Sequence, residues 1–397
     1  MACRVYIIDD EAAVLAATES LLASYGYAVR GFCSATHFLA EVGTLPPGCI
    51  VADLRMPGRS GIEMHAELLG RGFDWPVIFL SGDADVRSVV RAVKQGALEF
   101  IEKPYDAMVL LSAIRAASDL VGQRQREEVN RIRAALQRDG IFPHYQPAFD
   151  LSTGALTGLE ALLRWSGEAP QVDRAKAIHD AFQDPRLGRA VSNRMLDAVL
   201  ADLAAWRAEG LDVGRISFNA STCDLEDEGF APHLIDRLDQ FGLPASAIQV
   251  EVTELVTLDL QGRGAIGTLE ALAAAGISIA LDDFGTGFAS LTHLQNLPVD
   301  VVKIDRSFVG ALPGGASASI VRAIIGLAHG LGKTVVAEGV ETCAQAEFLR
   351  RSGCEQAQGY LFGAPVPADA VPAIASVPPA SGQGWSLGWS SRARLAG

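Results

Sequence analysis

The feature that most constrains how this chain folds is a repeated alternation of short apolar runs with longer amphipathic stretches. Up to about residue 120 the apolar runs are "RVYIID", "AVRGFC", "CIVADL", "PVIFLSG" and "EFIEKP". Strands that alternate with helices form a parallel sheet covered by helices on both faces. Residues 1–120 are therefore predicted to form a doubly wound α/β domain.

The alternation resumes at about Gly140 with a second and longer set of runs. They are "FPHYQPAF", "LTGLEALLRW", "RISFNAS", "IQVEVTE", "SIALDDFG", "VDVVKID", "TVVAEGV" and "AQGYLF". Most of these eight runs are separated by helical segments rich in Ala and Leu. The pattern predicts a closed, TIM-like (β/α)₈ barrel over residues 140–372, and an open sheet is the alternative.

Two segments lie outside these domains. Residues 107–138 have helical apolar spacing, and we predict a helical linker at 121–139. It is either a solvated extension of the first domain's last helix or a continuous helix that couples two domains or pairs with a second copy. Residues 373–397 are rich in Gly, Ser and Pro without periodicity and are predicted to be a disordered tail.

Charge and composition narrow the class of partners. The chain has 47 Asp and Glu against 33 Lys and Arg, a formal charge of −14 that repels nucleic-acid polymers. The six cysteines show no C-x-x-C pair, so neither a zinc site nor a disulfide framework is indicated. An acidic pair stands where a signal peptide would be apolar, and no apolar run approaches about 18 residues. We expect a cytoplasmic protein without a membrane partner.

Polar residues follow the ends of the first set of runs. Because ligands bind at the carboxyl ends of parallel strands, these residues are expected to converge: Asp9, Asp10, Asp53, Ser81 and Lys103. Three clustered carboxylates repel one another unless a divalent cation holds them, and oxygen ligands suit Mg²⁺. A metal-bound aspartate beside a lysine can accept a phosphoryl group.

The motifs "IIDDE", "VADLRMPGRSG", "FLSGDADV" and "EKPY" resemble the receiver domain of two-component response regulators, particularly the subgroup joined to DNA-binding outputs. The resemblance implies a flavodoxin-like fold and phosphorylation of Asp53 by a sensor histidine kinase. Asp9 and Asp10 would hold one Mg²⁺ together with Asp53, and Lys103 would pair with the phosphoryl group. Ser81 and Phe100 would be the switch residues that reorient on phosphorylation.

A second polar set follows the runs of the predicted barrel. It comprises Glu160, Asn219, Glu251, Asp282, Asp283, Lys303, Glu338 and Gln358. Chemistry in such barrels lies at the carboxyl ends of the strands, and a carboxylate inside the apolar "TGLEALLRW" needs a compensating partner. Oxygen ligands without His or Cys favour Mg²⁺ or Mn²⁺, and two such ions suit phosphodiester hydrolysis.

The barrel motifs "EALLRW", "FNAS", "EVTE", "DDFGTGFASL", "VKID", "AEGVE" and "QGYLFG" resemble the EAL-domain phosphodiesterases. Those metal-dependent barrels open cyclic di-GMP to linear pGpG. The resemblance implies two Mg²⁺ or Mn²⁺ ions. One would be bound by Glu160, Asn219, Glu251 and Asp282, and the other by Asp282, Asp283 and Glu338.

The same resemblance implies roles for the surrounding residues. Lys303 would orient the water between the metals, and Glu341 and Gln358 would position ligands. Arg164 would contact a substrate phosphate and Gln146 a guanine. The loop "DDFGTGFASL" would link the site to a homodimer interface through Glu254, Phe284, Gly285 and Gly287.

Three function classes are therefore weighed. The first is a response regulator whose barrel hydrolyses cyclic di-GMP under control of Asp53. The second is a catalytically weak cyclic di-GMP receptor or scaffold that signals through protein partners, although this chain keeps every metal-binding acid. A DNA-binding regulator is indicated only by the receiver subgroup, and no basic recognition helix accompanies it.

Overall fold

The structure, a computed structural model, describes residues 4–82, 94, 96–166, 182, 184–253, 263–285, 294–295 and 297–376. The chain divides near residue 132 into two compact units, which are described separately. Among the described helices, none combines the length and the apolar character needed to cross a lipid bilayer.

The first unit is a parallel five-stranded sheet with strand order β2-β1-β3-β4-β5. Its strands are β1 Arg4–Ile8, β2 Ala28–Phe32, β3 Gly48–Asp53, β4 Val77–Ser81 and β5 Glu99–Glu102. Its helices are α1 Ala12–Ser24, α2 Ala35–Glu41, α3 Gly61–Gly70 and α4 Ala107–Gln137. The strand order is that of flavodoxin-like folds, so the predicted doubly wound domain is confirmed.

Strand alternation divides the core of this unit in two. Tyr6 packs with Phe38 on one face of the sheet, while Ile7 packs with Leu110 and Ile114 on the other. Because successive side chains of a buried strand point to opposite faces and both faces are covered, the four consecutive residues of "VYII" are all apolar and buried.

The second unit is a closed barrel of eight strands in the order β10-β11-β12-β13-β6-β7-β8-β9. The strands are β6 Ile141–Asp150, β7 Leu156–Trp165, β8 Arg215–Asn219, β9 Ile248–Thr253, β10 Ser278–Phe284, β11 Val301–Ile304, β12 Thr334–Ala337 and β13 Gln356–Gln358. The helices are α5 Pro185–Ala208, α6 Thr222–Leu225, α7 Phe230–Gln240, α8 Arg263–Ala274, α9 Arg306–Val309, α10 Gly315–Gly330, α11 Cys343–Arg351 and α12 Val371–Ala375. The predicted closed barrel is confirmed.

One strand departs from the regular (β/α)₈ pattern, because β6 runs antiparallel to both of its neighbours. Only residues 151–155 separate β6 from β7, and a connection this short permits an antiparallel hairpin but not a parallel crossover. Ile141 therefore pairs with Trp165, at the carboxyl end of β7.

The residues that lead into β6 are fixed to that same end of the barrel. The amide of Gly140 donates to the carbonyl of Ala135 at 2.8 Å, and the carbonyl of Gly140 accepts from the Ser166 amide at 2.8 Å. A Cβ at Gly140 would lie 2.7 Å from the Ser166 hydroxyl oxygen, so only glycine fits without rearrangement. The junction between α4 and β6 is thus a tight turn.

Two predicted segments agree with the structure only in part. The predicted helical linker, residues 121–139, overlaps α4, which ends at Gln137 before Asp139 adopts a positive φ of 53°. Residues 373–375 of the predicted tail lie in α12, and residues 377–397 lie outside the described residues.

Candidate active site

The polar residues of the first unit meet at the carboxyl ends of its strands. Oxygens of Asp9, Asp10 and Asp53 all lie within 4.8 Å of one another, close enough to share a metal ion. The Lys103 ammonium lies 3.0 Å from an Asp9 oxygen and 3.5 Å from an Asp53 oxygen. Ser81 ends β4 and is buried, while Phe100 is half-buried in β5.

The surroundings of the first site raise the pKa values of both Asp53 and Lys103. Burial raises the pKa of Asp53, with Asp9 adding to the effect and Lys103 opposing it. Burial alone would lower the pKa of Lys103, but its bonds to Asp9 and Asp53 outweigh burial and raise it. The lysine is therefore charged at neutral pH and faces the oxygens of Asp53.

The polar residues of the barrel surround one buried cation. Lys303, in β11, is 1% exposed, and its nitrogen lies 2.6 Å from Glu251 and 2.5 Å from Glu338. It also lies 3.4 Å from oxygens of Glu160 and Asp282. We call Glu160, Glu251, Asp282, Glu338 and Lys303 the carboxylate ring.

Two amides complete the hydrogen bonding of Glu160. Asn219 donates to one oxygen at 3.1 Å, and Gln358 donates to the other at 2.5 Å. Gln358 also donates to Glu338 at 3.3 Å. The carboxylate in "TGLEALLRW" is thus compensated by a lysine and two amides in the protein itself.

A second group of acids adjoins the ring. Oxygens of Asp282, Asp283 and Glu338 lie within 4.8 Å of one another. Asp283 has a positive φ of 54°, which is rare outside glycine and is tolerated at functional sites. Hard oxygen donors at this separation fit Mg²⁺ or Mn²⁺.

The acids of the barrel site differ in the direction in which the protein shifts their pKa values. Burial raises the pKa of Glu251 to about 7 and, with Asp282, that of Asp283 to about 6. Burial also raises the pKa of Glu338 well above its ordinary value. For Glu160 burial is opposed by Lys303 and the two amides, which together lower its pKa. The pKa of Lys303 is raised well above normal, because four carboxylates outweigh its burial.

Three other predicted residues lie near the ring without joining it. Gln146 pairs in register with Glu160, and its amide donates to the Gly363 carbonyl at 3.2 Å. Arg164 is half-buried near the carboxyl end of β7, and within the described part of the chain no carboxylate forms an ion pair with it. Glu341 is exposed, and no contact among the described residues joins its carboxylate to the ring.

The predicted coupling loop is described only at its start. Phe284 is buried at the end of β10, and Gly285 follows with a positive φ of 97°. Glu254 and Gly287 lie outside the described residues.

Sequence reasoning missed the polar residues beneath the ring. Ser217, Gln249 and Gln356 each lie two positions before a predicted site residue on the same strand. Since side chains two apart face the same side of a strand, a search at that spacing would have found them.

Comparison with known proteins agrees with this geometry. The family model for the EAL domain matches residues 129–365, and that for the response regulator receiver domain matches residues 5–115. A cyclic di-GMP phosphodiesterase of Pseudomonas aeruginosa is 38% identical over 233 residues, 57% of this chain and 39% of that protein. An uncharacterized protein of Azorhizobium caulinodans is 40% identical over 303 residues, 68% of this chain and 40% of that protein. The matches therefore span about two fifths of these relatives.

A solved structure resembles the barrel. The PaMucR phosphodiesterase in complex with c-di-GMP is 35% identical with a TM-score of 0.55, covering 61% of this chain and 98% of that one. The matched segments and the barrel topology together show that the chain belongs to the EAL-domain family and has an N-terminal response regulator receiver domain.

Proposed function

We propose that the barrel hydrolyses cyclic di-GMP to linear pGpG and that phosphorylation of Asp53 changes the rate. The observation that supports this most directly is the buried Lys303 held among four carboxylates beside the Asp282, Asp283 and Glu338 group. The choice of cyclic di-GMP as the substrate is supported by relatives that are named as cyclic di-GMP phosphodiesterases.

The residues present fit two divalent cations. Glu160, Asn219, Glu251 and Asp282 would hold one, and Asp282, Asp283 and Glu338 the other. When bound, Mg²⁺ or Mn²⁺ supplies Lewis-acid polarisation of the phosphate and lowers the pKa of a bound water. Lys303 contributes a fixed positive charge beside the reacting phosphate, and Gln358 keeps Glu160 and Glu338 in place through its two hydrogen bonds.

The direct test is a turnover assay. Purified full-length protein with Mn²⁺ or Mg²⁺ should convert cyclic di-GMP to pGpG, measured by chromatography, and EDTA should stop the reaction. Tight binding of the dinucleotide without turnover would instead support a receptor that signals through protein partners. Mixing with a phosphoryl donor tests whether Asp53 sets the rate.

The receiver gives its own prediction. Asp53→Asn should abolish phosphoryl incorporation from radiolabelled acetyl phosphate, because the amide lacks the nucleophilic oxygen that Lys103 faces. Mass spectrometry of the intact protein measures the added phosphoryl group. Asp74→Asn, which changes an exposed acid of the same unit, is the control and should be labelled like the wild type. Equal labelling of Asp53→Asn would remove Asp53 as the acceptor.

Arg164 gives a prediction about the substrate phosphate. Arg164→Ala should lower kcat/KM by about 10- to 100-fold, since a charge-assisted hydrogen bond contributes about 1.5–3 kcal/mol. Steady-state kinetics at saturating metal measure the loss. Arg164→Lys should recover only part of it, because lysine cannot form the bidentate contact. A wild-type kcat/KM in Arg164→Ala would show that this side chain does not bind substrate.

A further inference from the structure

The interior of the barrel below the carboxylate ring is small and polar on the side formed by β6, β7, β8, β9 and β13. Barrels of this class are normally filled by Val, Ile and Leu. Here the strand positions two residues below the site residues are Ala148, Gly158, Ser217, Gln249, Ala280, Val301, Val336 and Gln356. Ala280, Val301 and Val336 form a buried apolar cluster on one side, and the remaining positions are small or polar. Gly158 cannot be larger, because a Cβ there would lie 2.4 Å from the Arg215 carbonyl oxygen. The strands therefore leave space where other barrels are packed.

That space is a cavity of about 560 Å³ that reaches the ring. Its wall includes Glu160, Glu251, Lys303 and Gln358 at one end. An adjoining cavity of about 490 Å³ at the amino ends of the strands shares Arg215, Ser246, Val301 and Thr334 with it. Arg215 and Ser246 are exposed, so the space opens to solvent at the end of the barrel opposite the strands' carboxyl ends.

The wall carries the hydrogen-bonding groups that ordered water needs. Gln249 donates to the Ser217 hydroxyl at 2.9 Å and to Glu251 at 3.5 Å. Ser278 donates to Gln249 at 3.4 Å, and Thr157 donates to Gln356 at 3.2 Å. A cavity holds water when it is polar and offers each molecule two to four partners, whereas an apolar cavity of similar size stays dry.

From this wall and opening we propose that the cavity is a water-filled passage from the amino end of the barrel to the carboxylate ring. The inference rests on the proposed function for its purpose. In hydrolysis a water oxygen forms a bond to phosphorus, the bond from phosphorus to the ribose oxygen breaks, and that oxygen takes up a proton while the water loses one. Each turnover thus consumes one water at the carboxylate ring. Water that enters through the passage from the amino end of the barrel replaces the molecule consumed.

The test fills the passage from a position one step below the ring. Ala148 lines the cavity and pairs in register with Gly158, whose missing side chain leaves room for a larger residue. On its other side Ala148 pairs with Gln358. Ala148→Leu should exclude water, Ala148→Ser should keep the space polar, and Ala148→Val is a smaller filler if the leucine destabilises the fold. Thermal unfolding of each variant shows whether it is folded.

Two measurements then decide the proposal. High-resolution crystal structures of the metal-free wild type and Ala148→Ser should show ordered waters from Ser217 and Gln249 to Lys303 or Glu251, and Ala148→Leu should lack them. The kcat of Ala148→Leu should fall by about three- to tenfold with unchanged metal affinity, as expected when well-ordered water is displaced.

A dry or collapsed cavity in the wild type would overturn the passage. So would a filled variant that excludes the waters yet keeps the wild-type kcat. The hydration measurement needs no turnover. Waters present in a wild type that fails to hydrolyse cyclic di-GMP would support the passage while overturning the proposed function.

Discussion

Glu160→Ala is expected to lower metal-dependent turnover of cyclic di-GMP by at least ~10³-fold, the scale of losing a group that stabilises transition-state charge. Glu160 is held firmly within the ring, because it accepts from Asn219 and Gln358 and faces Lys303. Its removal takes away a proposed metal ligand and one acceptor from each of three donors. The measurement is initial rates of pGpG formation across a series of Mn²⁺ concentrations.

The controls separate chemistry from folding. Glu228→Ala changes an exposed acid of the barrel and should keep wild-type rates. Glu160→Gln preserves the shape of the side chain, so it should keep the wild-type circular dichroism spectrum and melting while still losing turnover. Phosphoryl labelling of Asp53 should be unchanged in every variant. Substantial turnover by Glu160→Ala would remove this residue from the metal site.

Lys303→Met should give the largest change in stability. Removing one partner of a buried ion pair typically destabilises a protein by about 3–5 kcal/mol, and here one ammonium faces four acids. Urea denaturation of the metal-free protein at pH 8 measures the loss. Methionine keeps the length of the side chain, so the effect reports charge rather than a cavity.

Metal and pH should both change the stability of the variant. Mn²⁺ at 100 times the variant's Kd should stabilise it by about 2.7 kcal/mol relative to the metal-free variant through mass action. Lys303 lowers the pKa of Glu160, Glu251 and Glu338 in the folded state, so removing it raises those values. The folded variant then loses stability as the pH rises through the raised pKa values, and its deficit against the wild type should shrink at pH 5. An equal deficit at both pH values would show that Lys303 does not balance these acids.

The sequence predicted the two domains because short apolar runs alternate with amphipathic helical stretches in both. It also indicated which side chains would converge, since one polar residue at the end of each strand can point to a common centre. It did not indicate that Lys303 would be fully buried among four acids, because burial depends on how β11 lies between β10 and β12.

Other features could not be read from the pattern. The antiparallel direction of β6 follows from the length of one turn, and a list of apolar runs does not record strand direction. The pKa of Glu160 is lowered by Lys303 with help from two amides that are distant in sequence, Asn219 and Gln358. The pKa of Glu251 is raised by its burial and by the neighbouring Glu160 and Asp282 carboxylates. Glu341 matches its motif, yet the structure leaves it exposed and away from the ring.

The antiparallel direction of β6 connects the tight turn at Gly140 to the active site. Gln146 pairs with Glu160, and Ile141 at the tight turn of Gly140 lies five residues earlier on the same strand, about 17 Å away at 3.4 Å per residue. Because a register slip of one residue would turn every side chain to the other face, the pairing along this strand is strongly specified. The register that pairs Ile141 with Trp165 beside the turn therefore also sets which residue lies opposite Glu160.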